Sequence, residues 1–119
     1  QIARRIGRSQ PEVSRLIRFH GSGPLARRLR AHRQAVIHLI EDAGGRNVRV
    51  FGSVATGREH PGSDIDLLAD LSLADLSLLD LERLQSRLTE EVGATVELTP
   101  DSGLRPYLRE RVLKEAVPL

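Results

Sequence analysis

The run Ser63-Asp64-Ile65-Asp66-Leu67-Leu68 constrains the fold more than any other part of the chain. Read as a strand, its period-2 geometry turns Asp64 and Asp66 to one side and Ile65 and Leu67 to the other, toward a core. The two carboxylates then stand about 6–7 Å apart on one face, where they can share hard cations. Upstream, the strand-like Val48-Arg49-Val50-Phe51 leads into Gly52-Ser53. A glycine there lets backbone amides approach a ligand closely, and a helix beginning after the serine aims its positive end at phosphate.

Helical periodicity and breakers divide the rest. His20-Gly21-Ser22-Gly23-Pro24 reads as a linker, separating a segment 1–24 from a domain 25–119. Leu25, Leu29, Val36, Ile37, Leu39 and Ile40 recur at helical spacing, so one helix is expected from Leu25 to about Ala43, ended by Gly44-Gly45. A strand over 47–51, a short helix from about Val54 and a strand over 64–70 follow. Ala74 to about Glu91 reads as a long amphipathic helix, with Leu76, Leu79, Leu81, Leu84 and Leu88 in the core. Gly93 breaks it, 95–98 reads as a third strand, and a helix runs from Leu104 to Ala116. The fold class is therefore α/β (α+β). Glu97 faces away from Val96 and Leu98, so it shares the polar side of the sheet and can join Asp64 and Asp66.

Arg49-Val-Phe-Gly-Ser-Val-Ala-Thr-Gly57 and Pro61-Gly-Ser-Asp-Ile-Asp-Leu-Leu68 together resemble the signature of the DNA polymerase β-like nucleotidyltransferase superfamily. Within it the likeness is to the minimal nucleotidyltransferases, small proteins known mainly as antitoxins. The resemblance runs from about Asn47 to the C-terminus and implies a small mixed sheet flanked by helices. It also implies Mg²⁺-dependent nucleotidyl transfer, with two ions about 3.5–4 Å apart held by Asp64, Asp66 and Glu97. On the same likeness Glu97 would complete the shell of one ion and take the acceptor's proton. Gly52, Ser53, Ser63 and Arg58 would hold the phosphates of a nucleoside triphosphate, most simply ATP. Relatives often carry an arginine where this chain has Thr56, and Arg58 is the nearby substitute. The other polar candidates are weak: His20, His32, His38 and His60 lack ligand spacing and read as surface residues. Tyr107 could accept a nucleotide, but a lone tyrosine on an amphipathic helix reads more simply as a packing residue.

The net charge of +2 conceals an asymmetry between the two ends: residues 1–33 hold nine arginines against Glu12 alone, a balance of +8, and the remainder carries −6. An arginine-rich end on an acidic body is an electrostatic footprint for a polyanion. Ser9-Gln10-Pro11-Glu12 reads as a capping box, and Val13, Leu16 and Ile17 form an inward stripe. Residues Ile2 to Ile17 resemble the helix-turn-helix of phage-repressor-like regulators, whose second helix lies in the major groove. That likeness places Gln10, Ser14 and Arg15 at base edges of operator DNA and Arg8 and Arg18 nearer phosphates. Gln1 already reads as mid-helix, so residues upstream are expected. A DNA-binding homodimer would follow by analogy.

The chain has no cysteine, so disulfides and thiolate metal sites are excluded, and it has neither a membrane-length apolar run nor a signal-peptide pattern. It reads as a cytoplasmic protein. Three functions fit. The resemblance favours an antitoxin that transfers AMP from ATP to a HEPN-type toxin and represses its own operator. The alternatives are a DNA-binding regulator whose nucleotidyltransferase fold is a non-catalytic nucleotide sensor or scaffold, and a small-molecule nucleotidyltransferase.

Overall fold

Val48 and Val50 alternate inward along β1 (Arg46–Phe51), and Ile65, Leu67, Leu68 and Ala69 are all buried in β2 (Ile65–Asp70). A strand buried on both faces belongs in the middle of a sheet. In the computed structural model, which describes Phe19 and residues 21–119, the order is β3-β2-β1-β4, with β3 at Val96–Pro100 and β4 at Val117–Pro118. β1 runs antiparallel to β2 and β4, while β2 and β3 are parallel. A parallel pair needs a long crossover, and the helix Leu78–Val92, here α4, supplies it.

The remaining helices are α1 (Pro24–Ala31), α2 (Arg33–Asp42), α3 (Gly52–Thr56) and α5 (Pro106–Glu115), with a 3-10 turn at Asp101–Gly103. Ile40 and Val36 of α2 and Leu84, Leu88 and Val92 of α4 join the inward residues of the sheet in one hydrophobic core. Each such side chain contributes roughly 1.5–3 kcal/mol by leaving water. At the β3 edge, Gln85 Oε1 accepts from Leu98 N (2.7 Å) and Thr89 Oγ1 from Val96 N (3.0 Å). Helix α4 thereby satisfies strand donors that would otherwise lack a partner.

Four expectations need correction. The helix expected over Leu25–Ala43 is two helices, broken at His32, whose backbone leaves the helical region (φ −110°, ψ 18°) and whose Nδ1 lies 2.9 Å from Glu91 Oε2 on α4. Helix α4 starts at Leu78 rather than Ala74, because Ser77 and Asp80 form a capping box: Ser77 Oγ accepts from Asp80 N and Asp80 Oδ2 from Ser77 N. Leu79 points outward from that helix and is 54% exposed, so it is not a core residue. Tyr107 is 74% exposed and packs into no core. Strand β4 is an addition, and beside it Leu119 N donates to Val48 O (2.9 Å). The core also reaches back ahead of Leu25: Phe19 is buried, and its N–H donates to Pro118 O (2.8 Å).

Arg8, Gln10, Ser14, Arg15 and Arg18, with the expected helix-turn-helix, lie outside the described residues, as does His20. Among the described residues no helix is long and apolar enough to cross a membrane.

Candidate active site

The end of β1 and the start of β2 lie side by side, with Phe51 paired to Asp66. Past Phe51 the chain turns through Gly52 at φ +77°, the left-handed region that glycine enters without strain. A Cβ built on Gly52 would collide with Asp66 Oδ2, so the residue is glycine for space as well as for conformation. The single-turn helix α3 begins here, earlier than Val54, and ends at Gly57.

Ser53 and Ser63 meet across the loop that follows. Ser53 Oγ donates to Ser63 Oγ (3.1 Å), which also accepts from His60 N (2.9 Å). Thr56 Oγ1 donates to Gly52 O (3.1 Å) and accepts from Arg58 Nε (3.1 Å). Gly52, Ser53, Thr56, Arg58 and His60 line one side of a cleft of ≈ 280 Å³, and Arg111 and Glu115 of α5 line the other. Glu115 Oε2 lies 3.8 Å from Arg58 and 3.6 Å from Arg111, so one carboxylate is within ion-pair reach of two exposed guanidinium groups. His60 is thus a cleft residue, although it read as surface.

Asp66 and Glu97 occupy matching positions on the parallel strands β2 and β3, and both line a second cleft of ≈ 370 Å³ with Thr99, Arg105, Tyr107 and Leu108. The Asp66 carboxyl is pushed up from 3.8 to about 6, first by burial, then by a side-chain hydrogen bond with Glu97 and by the negative charges of Glu97 and Asp64. Asp64 sits just ahead of β2 and is exposed; it reaches Asp66 through its charge. Among the described residues no three His, Cys, Asp or Glu side chains converge closely enough to hold a metal ion as they stand. The donor chemistry nevertheless suits a hard cation. It is all carboxylate oxygen, and the crowding that raises Asp66 is relieved by a positive ion.

The expected residues therefore fall into two adjoining groups: Gly52, Ser53, Ser63 and Arg58 around one loop, and Asp66 with Glu97 across two strands, Asp64 nearby. Arg111 and Glu115 of the cleft beside Gly52 and Ser53 were not anticipated, and neither was Arg105 of the carboxylate cleft. Tyr107, Arg111 and Glu115 recur at a spacing of four along α5, a polar stripe visible in the sequence, but only the packing of α5 beside α3 turns it toward the site.

Comparison with known proteins gives one consistent picture. Residues 29–119 match the family model of the nucleotidyltransferase domain. A protein of Methanocaldococcus jannaschii assigned as a protein adenylyltransferase is 34% identical over 85 residues, spanning 71% of this chain and 90% of that protein. The protein adenylyltransferase MntA of Thermococcus cleftensis is 35% identical over 89 residues, spanning 75% of this chain and 86% of that protein. A solved structure of a protein assigned as a minimal nucleotidyltransferase superposes with a TM-score of 0.68 at 46% identity, covering 76% of this chain and 92% of that one. A chain from a toxin-antitoxin crystal structure with AMP-PNP shares the fold, with a TM-score of 0.59 at 21% identity over 71% of this chain and 69% of that one.

Proposed function

Because this chain belongs to the nucleotidyltransferase domain family and is a nucleotidyltransferase enzyme, we propose that it transfers AMP from ATP to a side chain of a protein partner. The partner in this reading is a HEPN-type toxin, for which the chain is the antitoxin. The observation that carries the proposal is the Asp66–Glu97 pair standing beside the Gly52 turn. The two relatives assigned as protein adenylyltransferases support a protein acceptor, and the toxin-antitoxin neighbour shares the fold.

In this reading Gly52 and Ser53 hold the triphosphate, with Ser63 fixing the Ser53 hydroxyl and Arg58 reaching the outer phosphates. Asp64, Asp66 and Glu97 would hold Mg²⁺, which when bound activates the acceptor hydroxyl and neutralises the pyrophosphate that leaves. Asp66 must lose its proton to take part, and in this reading Glu97 would accept the acceptor's proton. Arg111 gives the leaving group a second positive contact. Catalysis of this kind is mainly positioning and charge neutralisation. The arginine-rich N-terminal segment, with Arg8, Gln10, Ser14, Arg15 and Arg18, would bind operator DNA, as a homodimer.

The test incubates the purified chain with Mg²⁺, the product of the adjacent gene and ATP, CTP, GTP or UTP labelled at the α-phosphate. Label on the partner protein from ATP is expected. Absence of label from all four, together with no Mg²⁺-dependent nucleotide binding, would overturn the proposal.

A further inference from the structure

Tyr107 is the one tyrosine of the chain, and its surroundings are unusual for an aromatic residue. It sits in the first turn of α5, just after Pro106, and is 74% exposed. Burial therefore does not account for it. The same side chain lines the cleft that holds Asp66 and Glu97, and it also lines a groove with Arg111 and Glu115, which share a further cleft with Gly52 and Ser53. Tyr107 thus lines the cleft of the two carboxylates and lies one helical turn before Arg111, which lines the cleft beside Gly52 and Ser53. Val112 is buried and anchors α5, so the helix that carries Tyr107 is held in place by packing. The other hydroxyl of the carboxylate cleft, Thr99, is short and half-buried within β3.

We propose that Tyr107 is itself a nucleotide acceptor, so that the enzyme nucleotidylates its own chain at this hydroxyl. The inference rests on the reading that a nucleoside triphosphate binds beside Gly52 and Ser53. In the step, Tyr107 Oη forms a bond to the α-phosphorus. The bond from that phosphorus to the oxygen bridging the α- and β-phosphates breaks, and pyrophosphate leaves with the electron pair. The phenolic proton passes to Glu97, the proton acceptor of the proposed function in the same cleft, and from there to solvent. The product is a phosphodiester linking the tyrosine to the nucleoside monophosphate. Acceptor and carboxylates belong to one chain and one cleft, so the reaction is intramolecular.

The test uses the full chain alone with Mg²⁺ and ATP, read by intact mass and peptide mapping. One adenylyl group on Tyr107 is expected, formed at a rate per molecule independent of protein concentration. It should be absent from Tyr107→Phe, which keeps the ring and, being a change at an exposed position, should melt at the wild-type temperature. Label on another residue, or label persisting in Tyr107→Phe, overturns the proposal, and a rate that rises with protein concentration overturns its intramolecular form. An unmodified wild-type chain that still adenylylates its partner sinks this inference alone. A chain that neither modifies itself, nor modifies a partner, nor binds ATP with Mg²⁺ sinks the functional reading along with it.

Discussion

Asp66 on β2 and Glu97 on β3 are register partners across a parallel strand pair, and burial of Asp66, followed by its hydrogen bond to Glu97 and the charges of Glu97 and Asp64, raises the Asp66 pKa to about 6. A carboxyl with a raised pKa favours its protonated form in the fold. Its stabilising effect is fully present below the unfolded value of 3.8 and is lost as pH rises through about 6.

Asp66→Asn removes that penalty. Without metal at pH 8 the variant should be more stable than wild type by about 1 kcal/mol, a figure reduced for solvent screening at a half-exposed group, and the difference should close as pH falls below 4. Urea denaturation across pH measures it. Saturating Mg²⁺ should raise the melting temperature of wild type and leave Asp66→Asn unmoved; equal responses would remove Asp66 from the metal site.

Gly52→Ala meets two obstacles, a left-handed backbone and the Asp66 carboxylate. The conformation alone costs about 1–2 kcal/mol. The variant should melt lower and lose most of its transfer activity, because the collision displaces Asp66. A fully active Gly52→Ala would mean that the turn can relax.

Glu115 occupies the arginines that would face an incoming triphosphate. Glu115→Gln should lower the KM for ATP about two- to fivefold with little change in kcat, while Arg58→Ala should raise it. Steady-state kinetics distinguishes these outcomes, and a raised KM in Glu115→Gln would show that the carboxylate helps to position the arginines.

Glu59, from the loop after α3, caps the start of α1 by accepting from Leu25 N (2.9 Å) and Ala26 N (3.2 Å). Glu59→Ala should cost about 1 kcal/mol, as loss of a helix cap does, and lower the melting temperature without changing the sheet. Circular dichroism during a thermal melt provides the measurement.

How far the sequence could be read varied with the range of the interaction. β2 and β3 were legible because Ile65, Leu67, Val96 and Leu98 follow a period-2 pattern with acids between them, and Gly52 because a turn after a strand is a local matter. The break at His32 was hidden: the helical stripe continues through it, and the residue is tied to Glu91, 59 positions away. The Ser77–Asp80 box was present in the sequence, but Leu76, the residue just before it, continues the leucine stripe and extended the apparent helix. Two residues, one of them proline, carry no strand signal, so β4 could not be seen. Arg111 and Glu115 became site residues only through the packing of α5 beside α3, a relationship that no local pattern encodes.

Asp66 and Glu97, beside the Gly52 turn, are the core of the proposed nucleotidyl-transfer centre. It is tested most directly by the rate at which α-labelled ATP marks the partner protein, compared between wild type and Asp66→Asn at matched folded fraction. A loss of at least about a hundredfold in kcat is predicted. A folded Asp66→Asn enzyme that transfers label at the wild-type rate would contradict the account.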